Sequence, residues 1–293
     1  MIGIYHKKDL DGWCSGAVMR MKYPDIKLIG WDYGMPTPDT PAGESVVVAD
    51  VSFPMDDMAD MAARSGDMTW IDHHVSAMDA ADETFGGNTP FTSVLPPRED
   101  DGTVAKKAAC ELSWEYHYPG RPMPRAVQLL GRYDVFRDKD MPGWNEEVLP
   151  FQMGMKAICD SPESFPLKLL EEDTEVDDVI RMGIIILAFV NKENKRISKH
   201  RAYELDFVGL RVIAMNSSAF SSAIFDGRYD PSMHDAMMCY CYNKDGHWDV
   251  SIYSDKPEID VSGIAVERGG GGHRGAAGFR MSNDQIDSLL LNN

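Results

Sequence analysis

The chain has 293 residues, 43% of them hydrophobic and 26% charged, enough apolar content for a sizeable core and, by length, two domains. Its 29 Lys and Arg against 47 Asp and Glu leave a net charge of −18, which argues against an extended basic track for long nucleic acid. The longest apolar run, Gly183 to Val190, is too short to span a bilayer, and the opening residues read as a strand rather than a targeting segment.

The first half alternates strands with helices. A strand at Ile2–Tyr5 is followed by a helix from Gly12 to Lys22, a strand at Ile26–Trp31 and a loop through Pro36, Pro38 and Pro41. Ser45–Val51 reads as the next strand, Pro54 opens a helix at its first turn, and Met68–Ile71 forms another strand. This alternation predicts βαβ units in an α/β fold with a doubly wound, mainly parallel sheet. Thr84–Asp101, rich in Gly, Pro and Thr, reads as a loop, with helices at Thr103–His117 and Pro124–Gly131.

From Glu163 to Arg201 the pattern turns helical. Val176, Ile180, Ile184 and Leu187 recur at helical spacing, and Lys192, Lys195, Arg196 and Lys199 load the far end. Strands at Leu210–Met215, Ala236–Tyr242 and Trp248–Tyr253, a glycine cluster and a last helix at Asn283–Leu291 complete a smaller mixed α/β domain. Cys14, Cys110, Cys159, Cys239 and Cys241 form no CxxC pair. They read as reduced thiols of a cytoplasmic protein rather than as a zinc or redox motif.

Three predicted strands end in acids and histidines: His6-Lys7-Lys8-Asp9-Leu10-Asp11-Gly12, Ala49-Asp50 and Asp72-His73-His74. In a parallel sheet these endings share one edge, where open α/β folds bind ligands. Carboxylates crowded there repel one another unless a cation neutralises them, and mixed carboxylate–imidazole shells suit metals that activate water. Asp134, just after a predicted helix, could close such a shell. Singly, an Asp at a strand end is more often a cap or turn residue. The common polarity of three segments is what favours a metal site. Near the C-terminus, Gly269 to Gly272, Gly275 and Gly278 leave consecutive N–H groups unshielded, with His273 and Arg274 as directed donors for phosphate oxygens.

Asp72-His73-His74, with His6-x-x-Asp9-x-Asp11-Gly12 and Asp50 upstream, resembles the DHH phosphoesterase superfamily. That group includes RecJ-like exonucleases, nanoRNases, cyclic-dinucleotide phosphodiesterases and exopolyphosphatases. Gly270-Gly271-Gly272-His273-Arg274-Gly275-Ala276-Ala277-Gly278 matches the GGGHxxAAG signature of its associated substrate domain. One spacing departs from many members: only Lys7 and Lys8 separate His6 from Asp9, where three residues are common.

The resemblance implies a metal-binding catalytic domain over residues 1–162, a helical connector over 163–203 and a substrate-binding domain over 204–293. It implies two Mn²⁺ ions, with Mg²⁺ or another divalent ion as the alternative. His6, Asp9 and Asp50 are expected around one, and Asp11, Asp50, His73 and Asp134 around the other. His74 is expected to face the scissile phosphate or the bridging water, and Asp72 to act as a ligand or an orienting carboxylate. Gly270, Gly271, Gly272, His273 and Arg274 are the expected substrate-binding residues.

The implied activity is phosphodiester hydrolysis in short oligonucleotides or dinucleotides, of the oligoribonuclease type, releasing mononucleotides. Exopolyphosphatase or nucleotide phosphatase activity and a non-catalytic nucleotide sensor are the alternatives. Trp13, Tyr133, Phe136 and Phe220 could stack on a base, although packing is the commoner role for each. Neither long nucleic acid nor a membrane is an expected partner, and a homodimer is compatible with the pattern.

Overall fold

The computed structural model describes residues 1–218 and 221–291, so Phe220 lies outside the described residues. It divides into two compact units, Met1–Leu187 and Ala188–Asn293.

The first unit opens with β1 (Ile2–His6), α1 (Leu10–Lys22), β2 (Lys27–Trp31), β3 (Val46–Ala49), α2 (Met55–Arg64), β4 (Met68–Ile71), α3 (Val75–Phe85) and β5 (Thr92–Val94). The strands lie in the order β2-β1-β3-β4-β5, and every pair is parallel. β3 and β4 are buried at every position, the mark of strands covered on both faces. Alternation divides their side chains. Ile4, Val48 and Trp70 share a core with Met58 and Met61 of α2, while Tyr5, Val47 and Ile71 share another with Met19 of α1.

The helices α4 (Ala109–His117), α5 (Arg125–Asp134), α6 (Leu149–Ile158) and α7 (Thr174–Arg201) follow, with a π-helical turn at Trp144–Val148 before α6. Leu10 and Cys14 of α1, Leu130 of α5 and Phe151 of α6 form their common core. Two expectations are corrected here. The helix expected from Thr103 starts only at Ala109. Thr103 donates its N–H and hydroxyl to Asp101 Oδ1 instead, and Val104 bridges Arg98. The helical stretch expected from Glu163 is broken into a 3₁₀ turn at Leu167–Leu170, after Pro166, before α7 begins. The edge strand β5 lies within the expected loop; at three residues it is too short to show a period.

The second unit holds β6 (Tyr203–Phe207), β7 (Leu210–Asn216), β8 (Ala236–Tyr242), β9 (Trp248–Tyr253), α8 (Val261–Val266), β10 (Gly271–His273), β11 (Ala276–Met281) and α9 (Asn283–Leu291). Its mixed sheet runs β10-β11-β9-β8-β7-β6, parallel only between β7 and β8. Val212, Met238, Ile252 and Phe279 bury one face under Val261 and Ala265 of α8 and Ile286 of α9. All five cysteines are free thiols. Among the described residues, no helix is long and apolar enough to cross a membrane. The architecture is therefore α/β, a parallel sheet in the first unit and a mixed one in the second.

Candidate metal centre

Register brings the candidate ligands together. Tyr5 pairs with Ala49, and Ala49 with Ile71, so the next residues, His6 at the end of β1 and Asp50 and Asp72 just past β3 and β4, stand side by side. Asp50 turns away with φ 63°, in the left-handed region that Asp tolerates better than most residues. Its N–H still donates to Ile71 O at 2.9 Å, so the turn re-aims the carboxylate without breaking the sheet.

α1 starts hard against the end of β1. Asp9 caps it, accepting from Gly12 N at 3.0 Å, and a Cβ at position 12 would stand 2.0 Å from His6 O. Only glycine permits that approach. Asp11 is 2% exposed, and its two oxygens accept from Ala109 N at 2.9 Å and Cys110 N at 2.8 Å. The amino end of α4 thus fixes this carboxylate in place.

Around Asp50 the side chains form overlapping groups. His6 Nδ1 lies 2.7 Å from Asp9 Oδ2 and 3.6 Å from Asp50 Oδ2. His73 Nε2 lies 3.4 Å from Asp50 Oδ1, 3.4 Å from Asp134 Oδ2 and 3.7 Å from Asp11 Oδ2. His6, Asp9 and Asp50 can converge on one ion, as can Asp11, His73 and Asp134; Asp50, Asp72, His73 and His74 form a third such group. Asp50 belongs to two of the three.

Close approach does not satisfy these atoms. His6 Nδ1, Asp50 Oδ2 and Asp72 Oδ2 are buried without a hydrogen-bond partner of acceptable geometry. Each such atom costs about 1–3 kcal/mol, more for a charged group. A set of carboxylate oxygens and imidazole nitrogens left in this state fits a divalent cation.

The electrostatics agree. Burial, and next the charge of Asp11, push the carboxyls of Asp50 and Asp134 well above the carboxylate range. Burial alone would lower the His6 imidazole, but interaction with Asp50 and Asp9 overrides it and raises the group to about 10. Protons on these groups do what a cation would do: they offset crowded negative charge.

Asp72 is fully buried, and its Oδ1 accepts from His73 N at 2.7 Å and His74 N at 3.2 Å. The same oxygen lies 2.7 Å from His74 Nδ1. This oxygen orients His74, while Oδ2 remains unpartnered. Burial would lower the His74 imidazole; Asp72 reverses that and raises it.

Two residues escape the sequence reading. Asp32 follows β2 as Asp50 follows β3, and its Oδ1 stands 3.6 Å from His6 Nε2, the ring nitrogen facing away from Asp9. An acid directly after a predicted strand is the signal that could have found it. Tyr33 meets His6 edge-on at 5.9 Å between ring centroids. Burial, with the charges of Asp72 and Asp50, pushes its hydroxyl up to about 12.

In the second unit, the glycine cluster is not a run of unshielded N–H groups. It forms a hairpin in which Gly271, Gly272 and His273 pair with Gly278, Ala277 and Ala276, leaving only the outer edge of β10 open. Arg274 donates to Pro257 O from Nε at 3.1 Å and Nη2 at 2.7 Å, while His273 is exposed.

No family model matches the chain. Over 192 residues it is 26% identical to an uncharacterized protein, R106, of Acanthamoeba polyphaga mimivirus. That match covers 60% of this chain and 42% of the viral protein, so the chain spans less than half of this curated relative. Among solved structures, the pGpG-specific phosphodiesterase PggH from Vibrio cholerae is similar with a TM-score of 0.57 and 11% identity, over 99% of this chain and 96% of that one. The DHH domain of a protein described as a member of a ribosomal protein family gives a TM-score of 0.58 and 15% identity, over 99% and 84%. At such identities the likeness is one of fold. The fold of this chain is the DHH fold, the same that its Asp72-His73-His74 and glycine–histidine motifs resemble.

Proposed function

We propose that the chain is a hydrolase that cleaves phosphodiester bonds in short oligonucleotides or dinucleotides, releasing mononucleotides, with two divalent cations, Mn²⁺ first among them. The observation that carries this reading is that Asp50 stands between the His6–Asp9 group, 3.6 Å from His6 Nδ1, and the Asp11–His73–Asp134 group, 3.4 Å from His73 Nε2, with His6 Nδ1 and Asp50 Oδ2 buried and unpartnered. A neighbour in fold acts on pGpG, and the charge of −18 disfavours long nucleic acid.

His6, Asp9 and Asp50 would hold one cation, and Asp11, Asp50, His73 and Asp134 the other. Bound there, such ions polarise phosphoryl oxygens and lower the pKa of water. The chain supplies the rest. Asp72 Oδ1 fixes the Nδ1 side of His74, which leaves Nε2 to donate a hydrogen bond to a phosphoryl oxygen as charge builds on it. Asp32 steadies His6 from the opposite ring nitrogen, as outer carboxylates do for metal-binding imidazoles. Gly270, Gly271, Gly272, His273 and Arg274 are assigned to substrate binding, with Arg274 exchanging Pro257 O for a phosphate oxygen. Catalysis falls to residues 1–162, with 163–203 as connector and 204–293 as the substrate domain. Five free thiols suit a reducing cytoplasm.

The test is a chelator-treated protein titrated with Mn²⁺, Mg²⁺ and Zn²⁺. The substrates are a dinucleotide, a five-mer RNA, 3′-phosphoadenosine 5′-phosphate and polyphosphate, with product analysis. Cation-dependent release of mononucleotides is expected. Turnover of polyphosphate alone makes the chain an exopolyphosphatase, and nucleotide binding without turnover makes it a sensor.

A further inference from the structure

Beside the candidate metal centre, within the first unit, lies a cavity of about 150 Å³. That is many times the roughly 10–15 Å³ that a single water needs, and on the scale of one small planar group. We infer that this cavity is a nucleobase pocket that selects for an exocyclic amino group through Gln152.

Three sets of walls lead to that assignment. Asp9, Asp11 and Asp134 line the side shared with the metal centre. Leu10, Trp13, Leu130 and Tyr133 give apolar and aromatic surface, and Lys8 and Lys156 bring cationic donors. Gln152 is 6% exposed, lines the cavity, and carries an Oε1 that is buried without a partner. An acceptor left this way is costly until a ligand donor reaches it.

These walls discriminate between occupants. A phosphate has no N–H to offer the unpartnered Gln152 Oε1. An aliphatic group would leave Gln152 unsatisfied. A base with an exocyclic amine meets every requirement: the amine donates to Oε1, ring acceptors receive from the lysine ammonium groups, and the ring face lies on an aromatic side chain.

Both aromatics are held in place for this. Trp13 Nε1 donates to Lys7 O at 2.9 Å. Tyr133 stacks on Trp144 at 6.0 Å between centroids, with Lys156 Nζ 5.9 Å from its ring. The pocket abuts Asp9, Asp11 and Asp134, so its occupant would be the base of the nucleotide whose phosphate is attacked.

This inference rests on the phosphodiesterase reading and adds which part of the substrate is read. The experiment compares pApA, pUpU and an abasic dinucleotide in the Mn²⁺-loaded full chain. The KM for pApA is expected about tenfold below those of the other two, because only adenine brings the amine. Gln152→Leu should collapse the pApA advantage over pUpU, and Gln152→Glu, which keeps an acceptor, should retain it. Should Gln152→Leu fail to fold, Lys156→Met at an exposed position reads the same pocket through a raised KM for pApA. Equal KM values for all three substrates in the wild type overturn the pocket. Absence of turnover on all of them overturns the phosphodiesterase reading instead. Equilibrium binding then decides the pocket, which falls if AMP binds no tighter than UMP and ribose 5-phosphate.

Discussion

The edge of the parallel sheet in the first unit and the glycine hairpin of the second are built on opposite principles. At the sheet edge, Asp11 and Asp50 are 2% exposed and Asp72 fully buried, with Asp50 held at a positive φ. Repulsion and strain are concentrated there, as they are where a ligand is meant to relieve them. The hairpin is exposed from Gly271 to Ala276 and contains no acid; its form comes from removing side chains. A Cβ at Gly272, where φ is 145°, would stand 2.5 Å from Ala277 Cα. One region is poised electrostatically and the other sterically, so they should fail in different ways.

The largest contrast is expected from Asp50→Asn. Turnover should fall at least ~10³-fold, about 4 kcal/mol of transition-state stabilisation. The cation-free protein should nevertheless gain Tm, since Asn accepts a left-handed backbone and removes a carboxyl whose ionisation burial and Asp11 oppose. A lower Tm in this variant would show that the cluster is not repulsive.

Acid should weaken the first unit through a group outside the metal cluster. His117 is 2% exposed, neither ring nitrogen has a partner, and burial lowers its pKa from 6.5 to about 4. Between those values the unfolded chain binds more protons than the folded one. The stability that His117 contributes by staying neutral is therefore complete above pH 6.5 and is lost as pH falls through about 4, by up to roughly 3 kcal/mol. Urea midpoints against pH for the wild type and His117→Phe measure this, and parallel curves would refute it.

Mn²⁺ at a hundred times its Kd should stabilise the first unit by about 2.7 kcal/mol. Hydrogen exchange should show the protection around β1, β3 and β4, with β10 and β11 unchanged. Uniform protection over both units would erase the contrast between them.

Gly272→Ala should destabilise the second unit by about 2 kcal/mol without altering Mn²⁺ affinity, because it forces a Cβ into the β11 backbone. Calorimetry with metal titration separates the two effects. The smallest change in stability is expected from Arg274→Ala, within about 0.5 kcal/mol for an exposed side chain, yet KM for a dinucleotide should rise. An unaltered KM would leave Arg274 with its contacts to Pro257 and Asp260.

Much of the scaffold is legible in the sequence because its signals are local. The apolar runs ending at Tyr5, Ala49 and Ile71 mark parallel strands, and the polar residue after each marks the strand's end. Asp32 obeys the same rule after β2, but the segment beyond it reads as a proline-rich loop and hides it. The start of α4 is only partly legible locally, because Glu111 caps Ala108 N from within the helix while Asp11, which accepts from Ala109 N, lies 98 residues away in sequence. Gln152 carries no sequence signal at all; its interest lies in being buried with an acceptor unpaired.

By itself, the sequence determined the α/β alternation, the acids and histidines that close three strands, and the glycine–histidine motif, all encoded within a few consecutive residues. Tertiary structure alone decided that Asp32 stands beside His6, that Asp72 orients His74 through one oxygen and leaves the other buried and unpartnered, and that the glycines pair as a hairpin. Periodicity and turn chemistry act over one or two turns of chain. Register, burial and the convergence of charges exist only once elements far apart in sequence have packed.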